Sequence, residues 1–283
     1  SLLLLQMAVA AGRGNDFLDH EADAAMAGLL VLAEDTDERV QRRMLGLPAS
    51  APSNVTVWTR KVFAEIASRY SSSMTLPEFL DRYLEQNPAC RFVMLDTEET
   101  CRAIWEGEKA EKDNRRITQV DYSQTRGFDT VAMRHRVHVG LVNHTGKLAG
   151  KRAADPHELI NRTNVALAGC SGSLVLTNYP DADPMDTSDT RRLIAIRGRD
   201  IDRDLLLAVE HQQDGTFKSI GPYSSVRQTD LEEQVLKAVE TLGADDPGEF
   251  VTFQAIADEI GCSRPNVKRA VRQMKDNNRT VWK

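Results

Sequence analysis

The chain has 283 residues, a net charge of -6 and four widely scattered cysteines. This length suits one large domain with a small one, and the acidic balance argues against a protein that coats nucleic acid along its whole surface. Because the cysteines form no Cys-x-x-Cys pair, the sequence excludes a zinc module of that type, and reduced thiols indicate a cytoplasmic protein. No apolar stretch is long enough to span a bilayer, so we expect no membrane partner.

The first predicted helix covers residues 2–11, which are almost entirely apolar, and Gly12 and Gly14 end it. Gln6 interrupts the apolar run, and no basic leader precedes it, which argues against a signal peptide. The pattern starts in mid-helix, without a capping residue. We therefore expect that further sequence precedes Ser1.

Three short apolar runs predict buried strands that end in chemically active side chains. The carboxyl ends of parallel strands meet at one edge of a sheet, where α/β proteins collect their chemistry. A structural interpretation also stays open for each side chain, as a helix N-cap for a carboxylate or as a hydrogen-bonded histidine. The three runs and the residues after them are 28–33 with Glu34 and Asp35, 91–95 with Asp96, and 137–142 with Asn143 and His144.

Helical and strand patterns alternate over most of the chain and then give way to hairpin-like strands. This order predicts an α/β fold with a mostly parallel sheet and an antiparallel edge. Residues 97–118 are highly charged without a clear period and predict a loop or lid. Further helices are predicted at 36–45, 76–86, 122–134 and 160–169, and further strands at 55–58, 173–177, 191–199 and 205–209.

The last part of the chain predicts a small helical domain at residues 230–283, after a linker at 222–229. Its helices, at 231–242, 253–260 and 263–274, surround a tight Gly261 turn, which is the helix-turn-helix pattern, and residues 277–283 suggest the start of a wing. Along the third helix, basic side chains occupy one stripe and apolar ones the opposite face. We expect DNA contact there, although a helical interaction domain with a solvated basic face is the alternative. The candidate DNA-binding residues are Arg264, Asn266, Lys268 and Arg272.

The ordered set of strand ends over residues 1–221 resembles the RecA-like ATPase core of the plasmid RepA-type hexameric helicases. The segments that carry the resemblance are Leu32-Ala33-Glu34-Asp35, Val93-Met94-Leu95-Asp96-Thr97 and Leu141-Val142-Asn143-His144. The resemblance implies that Glu34 activates water, that Asp96 is the Walker B ligand of Mg²⁺, and that His144 senses the γ-phosphate of ATP. The family usually has a second histidine where this chain has Asn143.

The resemblance also implies roles for residues outside the strand ends. Ser1 would ligate Mg²⁺ beside the nucleotide, and Arg43 would stack near the adenine, or would be a plain surface arginine. Arg197 and Arg199 would reach the nucleotide of a neighbouring subunit, or would simply end a solvated strand. The residues expected to face DNA from the loop after His144 are Lys147, Lys151 and Arg152.

One specific motif of this family does not occur in these residues: no G-x-x-x-x-G-K-[ST] phosphate loop is present. Residues 1–8 resemble the segment directly after the Gly-Lys of that loop, so we expect the loop upstream of Ser1. The alternative is a degenerate ATPase that never had it. On the first interpretation, the 283 residues alone hydrolyse ATP poorly or not at all.

The sequence thus predicts an ATP-dependent helicase-like motor, with ATP and Mg²⁺ as cofactors, DNA as partner, and a homo-oligomeric, hexameric ring as the active form. A second hypothesis is a DNA-binding replication initiator or transcription regulator whose ATPase-like core does not hydrolyse ATP. A recombination accessory protein with the same core, assembled as a filament, is the third.

Overall fold

A computed structural model gives the fold and describes residues 2–47, 52–107, 117–144, 155–160, 170–180, 188–245 and 251–276. The chain divides into two compact units. The first contains Ser1–Leu205 and Val209–Ser219, and the second contains Leu206–Ala208 and Ile220–Lys283. None of the helices in the described ranges is long and apolar enough to cross a membrane.

The first unit is built on a parallel sheet of four strands in the order β2-β1-β3-β4. The strands are β1 (Ala27–Leu32), β2 (Val55–Thr59), β3 (Cys90–Asp96) and β4 (His138–Leu141). The two central strands are almost wholly buried because their apolar runs have no polar alternation, as expected for a parallel sheet covered on both faces. The helices of this unit are α1 (Leu2–Arg13), α2 (Asp37–Gly46), α3 (Arg60–Tyr70), α4 (Leu76–Gln86), α5 (Glu98–Glu106) and α6 (Ile117–His135).

Alternate residues of β1 and β3 enter two separate apolar clusters, because successive side chains of a strand point to opposite faces. On one face, Leu30 and Leu32 pack with residues of α1 and α2, including Leu5 and Val40. On the other face, the cluster joins the strands to α3, α4, α5 and α6. Each fully buried leucine contributes roughly 1.5–3 kcal/mol relative to exposure. The sheet therefore forms the middle of three layers, and its strand ends are fixed in place.

Gln6, which interrupts the apolar first helix, has a structural role. Its side-chain amide donates to the backbone oxygen of Phe217 at 2.7 Å, and its side-chain oxygen accepts from the Phe217 backbone nitrogen at 2.7 Å. The half-buried amide thereby uses both a donor and its acceptor oxygen in hydrogen bonds within the protein.

Four later strands form a second sheet in the order β5-β6-β7-β8. They are β5 (Gly172–Asn178), β6 (Arg191–Gly198), β7 (Leu205–His211) and β8 (Phe217–Pro222). The β5–β6 pair is antiparallel, with Val175 opposite Ala195. A short 3-10 helix, Pro156–Leu159, precedes them.

The described residues of the second unit form three helices, α7 (Tyr223–Asp245), α8 (Phe253–Glu259) and α9 (Arg264–Asp276). Gly261, between α8 and α9, has φ +65°, a conformation that glycine adopts without strain. The apolar face of α9 packs in a core with residues of α7 and α8, including Val235 and Ile256. The α9 residues in this core are Val267, Ala270, Val271 and Met274, at the spacing of one helix face.

The α/β fold class with its parallel sheet and helical C-terminal region is confirmed, but several elements differ from the sequence-based expectation. Within the described ranges, strands β5 to β8 form a sheet separate from the parallel one, whereas the sequence predicted an antiparallel edge of the same sheet. Residues 98–106, expected in a loop or lid, form α5, and residues 223–229, expected as a linker, belong to α7. Helix α3 and strand β8 were not predicted. Most of the predicted helix at 160–169 and the suggested wing at 277–283 lie outside the described residues.

Candidate nucleotide site

The carboxyl ends of β1 and β3 lie side by side, so Glu34 and Asp96 are neighbours. Leu32 pairs with Asp96, and the Ala33 backbone nitrogen donates to the Asp96 backbone oxygen at 2.7 Å. The Asp96 side chain is buried, and the residue is 3% exposed, whereas 37% of the Glu34 side chain is exposed. The sequence-based expectation that these two carboxylates share one sheet edge agrees with this pairing.

Three side chains converge on one carboxylate oxygen of Glu34. The hydroxyls of Thr97 and Thr100 donate to Glu34 Oε1 at 2.7 and 3.0 Å. His144 Nε2 lies 3.4 Å from the same oxygen. The Thr97 hydrogen bond lowers the pKa of Glu34, burial opposes this, and the Thr100 bond and His144 lower it further. Glu34 is therefore held in its ionised form, the form that accepts a proton.

His144 is positioned by the register of β3 and β4, since Leu95 pairs with Leu141 at the end of the ladder. Two backbone bonds extend this connection: Val142 donates to Leu95 at 3.0 Å, and Glu98 donates to Val142 at 2.8 Å. The His144 side chain remains 73% exposed. It can therefore meet a ligand while it contacts Glu34.

The carboxylates at this edge have a buried thiol close by. Burial raises the pKa of the Cys101 thiol, and the negative charges of Asp96 and Glu34 raise it further. Cys101 is fully buried and stays a neutral packing residue.

Asp96, with Glu34 at the same sheet edge, offers carboxylate oxygens, and Mg²⁺ prefers oxygen ligands and usually keeps several waters beside one or two carboxylates. Within the described residues, no group of three His, Cys, Asp or Glu side chains could hold a metal ion. Mg²⁺ at this edge would therefore need ligands from water and substrate phosphates, the usual arrangement in nucleotide sites.

Arg43 makes its side-chain contact within the protein. Its guanidinium is hydrogen-bonded to Asp35, whose side chain is 3% exposed, and Arg39 pairs with the same carboxylate at 3.4 Å. The sequence identified Asp35 as an acid directly after a strand, with a helix N-cap as the alternative, but the N-cap of α2 is Thr36. Its burial, which no pattern in the sequence signals, makes Arg43 the partner of an internal charge.

Arg197 lies on β6 and forms ion pairs with Asp204 and Asp155, the latter at 3.0 Å. These hydrogen bonds raise the pKa of the Arg197 guanidinium and lower the pKa of Asp204. The pKa of Asp155 is lowered first by the hydrogen bond from the His157 backbone nitrogen, and Arg197 lowers it further. Arg199 is exposed, and its backbone nitrogen donates to Ser171 at 2.9 Å. The structure thus places both arginines near the end of β6, where the sequence predicted them.

Several predicted residues fall outside the described ranges: Ser1, Lys147, Lys151 and Arg152. The pair Thr97 and Thr100, in contrast, is new. Its signal is a threonine directly after the strand-ending Asp96 and a second one three residues later, a spacing that puts both hydroxyls on one side of a helix start.

Helix α9 presents its basic side chains to solvent. Arg264, Lys268 and Arg272 are exposed along it, and Asn266 is half-buried and accepts a hydrogen bond from Arg269 at 3.3 Å. The opposite, apolar face of the helix is packed in the core.

Comparison with solved structures shows proteins of similar fold. A solved ATPase domain of another protein is similar in structure, with a TM-score of 0.50, 13% identity, and coverage of 69% of this chain and 75% of that one. At this identity the likeness shows the RecA-like fold alone. A crystal structure of the RadB recombinase matches with a TM-score of 0.40 and 14% identity, over 69% of this chain and 79% of that one. No curated protein matches the chain.

A family model described as an AAA domain (AAA_25) matches residues 1–150. The matched part includes β1, β3 and β4, and with them Glu34, Asp96 and His144. Because the match spans more than half of the 283 residues, the chain belongs to this AAA-domain family.

Proposed function

We propose that the full-length protein hydrolyses ATP with Mg²⁺ and uses the reaction to move on nucleic acid, as a helicase-like motor of the RepA type. The observation that carries this proposal is the set of side chains that fixes the Glu34 carboxylate. Its Oε1 meets Thr97, Thr100 and His144 at the edge where Asp96 is buried. A fixed, ionised carboxylate at this place is suited to orient a water molecule and to accept its proton.

In this proposal each residue has a separate task. Asp96 and the hydroxyl of Ser1 are the residues that would hold Mg²⁺. When bound, Mg²⁺ neutralises charge on the phosphates, which is the main requirement of phosphoryl transfer. His144 contacts the terminal phosphate and, through its 3.4 Å approach to Glu34, links phosphate loss to the base.

The test is MgATP turnover of the full-length protein, beside a Glu34→Gln variant. Glutamine keeps the shape of the side chain but does not accept the proton, so turnover should fall at least about 100-fold, whereas nucleotide affinity should remain. Glu65→Gln, at an exposed glutamate on α3, is the matched control and should leave turnover unchanged. Equal turnover in Glu34→Gln and wild type would remove Glu34 from the mechanism.

Coupling to nucleic acid and assembly are finer parts of the same proposal. Lys147, Lys151 and Arg152 contact single-stranded DNA, and Arg197 or Arg199 reaches the nucleotide of a neighbouring copy in a hexameric ring. Single-stranded DNA should then stimulate turnover, and sedimentation should show a nucleotide-dependent oligomer. A protein that stays monomeric and whose ATP turnover does not change with DNA would contradict both the assembly and the coupling to nucleic acid.

A second candidate function is DNA binding by the second unit, as in a replication initiator or regulator, and the observation that favours it is segregated charge. Five basic residues and one acid lie on α9. Among the described residues of this unit, the exposed acids other than Asp276 lie on the other two helices: Glu233, Glu240, Asp258 and Glu259. A generally solvated surface would mix the two signs, whereas a phosphate-binding face concentrates one of them.

The experiment for this candidate measures binding to duplex DNA at several salt concentrations. Replacing Lys268 and Arg272 by glutamine should reduce the slope of log affinity against log salt by about 2, because each lost phosphate contact removes about one. Lys237→Gln, at an exposed position on α7, is the matched control. An unchanged slope would refute the proposal that the basic face of α9 binds DNA phosphates. Full DNA binding without any ATP turnover would favour the regulator over the motor.

A further inference from the structure

The hydroxyls of Thr97 and Thr100 form a compact pair at the start of α5. The two oxygens lie 2.9 Å apart, and each lies within hydrogen-bond distance of Glu34 Oε1. Thr97 is also the N-cap of α5, since its side chain accepts from the Thr100 backbone nitrogen at 3.4 Å. One helix start is thereby connected to the end of β1, more than 60 residues away in sequence.

The number of protons available determines which groups donate and which accept in these hydrogen bonds. Each threonine hydroxyl has one proton to donate, and an ionised carboxylate only accepts. Hydrogen bonds to a charged acceptor are stronger than those between neutral groups. Both hydroxyls therefore donate to the Glu34 carboxylate. The two threonine bonds and the His144 approach all use Oε1, and none of the three uses Oε2.

We propose that Thr97 and Thr100 are positioning residues that fix Glu34 by Oε1 and so present Oε2 to the attacking water. This inference rests on the proposed ATP hydrolysis, because the water and its proton belong to that reaction. A carboxylate base that is held through one oxygen keeps its second oxygen in a single orientation. Orientation matters because moving a catalytic group by about 1 Å can lower the rate roughly 100-fold.

A purely structural threonine behaves differently in a helix. Thr130 on α6 is an example: its hydroxyl donates to the backbone oxygen of Arg126, four residues earlier, at 2.8 Å. Thr100 instead donates across elements to a side chain at the sheet edge. Thr100 is also the better position to test, because Thr97 caps the helix as well.

The experiment compares Thr100→Val, which removes the hydroxyl at nearly constant shape, with Thr100→Ser, which keeps it. Thr130→Val is the matched control. In the 283-residue chain, NMR relaxation of the Glu34 side-chain methylene should show a more mobile side chain in Thr100→Val only. In the full-length protein, kcat should fall on the order of 10-fold in Thr100→Val with KM unchanged, and Thr100→Ser should restore it. Thr100→Ala replaces the valine variant if the latter does not fold.

The two measurements separate the two proposals. Unchanged Glu34 mobility together with unchanged kcat in Thr100→Val would overturn the positioning role while turnover by wild type still stood. A wild-type protein without ATP turnover would overturn the proposed function, and the NMR comparison would then still decide whether the hydroxyl fixes the carboxylate. A fall in kcat that serine does not restore would also count against the hydroxyl.

Discussion

The ion pair between Arg43 and Asp35 allows a direct test of what this arginine does. Replacing Arg43 by methionine keeps most of the aliphatic length and removes the charge. The Asp35 side chain, which is 3% exposed, then keeps only one ion-pair partner, Arg39 at 3.4 Å. The Arg39 side chain is 52% exposed, so this remaining pair is the weaker one. The expected result is a protein that folds with reduced stability.

The size of the effect depends on the burial of the two partners. Breaking a fully buried ion pair costs about 3–5 kcal/mol, and an exposed pair is worth roughly 0–1 kcal/mol. The Arg43 side chain is 23% exposed and the Asp35 side chain is nearly enclosed. We therefore expect a loss of about 2 kcal/mol in the free energy of unfolding, between these limits.

The assay is urea denaturation followed by the fluorescence of Trp58 and Trp105, which both lie in the first unit. Arg42→Met, at the exposed neighbouring position on α2, is the control and should change little. Adding Asp35→Asn to Arg43→Met should recover about 1 kcal/mol, because the buried charge is then gone.

A loss below about 0.5 kcal/mol in Arg43→Met would refute this reasoning, since exposed substitutions already cause changes of that size. Binding of a fluorescent adenine nucleotide by the full-length double variant then tests the adenine role. If Arg43 stacks on the base, binding stays weak although stability has recovered. If Arg43 only pairs with Asp35, affinity returns with stability.

Three further predictions concern the core, a helix cap and a buried histidine. Gly28→Ala should destabilise by about 1–3 kcal/mol in urea denaturation, because its Cβ would lie 2.1 Å from the Phe92 ring, and Phe92→Leu should relieve most of this loss. Thr75→Ala should cost about 1 kcal/mol by the same assay, since it removes the capping box with Glu78. Burial lowers the pKa of His157 in the folded protein, so the unfolded chain binds the proton more readily. Stability should therefore fall as pH decreases through about 6.5, and the fall should be smaller in His157→Gln; equal pH dependence in both would contradict the assignment.

The sheet edge was predictable from the sequence because a strand end is a local signal. The apolar runs before Glu34 and Asp96 identify buried strands, and parallel pairing then brings their ends together. The contact of His144 with Glu34 depends on the same logic, although the sequence does not fix the strand order that permits it.

The supporting residues were harder to predict because their roles depend on tertiary contacts. Helix α5 has Cys101 and Trp105 on one buried face, but the charged residues elsewhere in the helix conceal its period. Whether Thr100 faces Glu34 or solvent depends on how that helix packs, which local propensity does not determine. Asp35 likewise gains its arginine partners only when α2 folds back against the strand end.

The Gln6 side chain connects α1 to the backbone of Phe217, and this connection limits how far the two can move apart. Its amide forms two bonds with the backbone of Phe217, just as a neighbouring peptide group in a strand would. Hydrogen bonds of 2.7 Å weaken steeply when the groups separate or tilt. A displacement of α1 by about an ångström therefore breaks both bonds together or carries residue 217 with it. In this unit, the two bonds therefore couple the position of α1 to that of the backbone at residue 217.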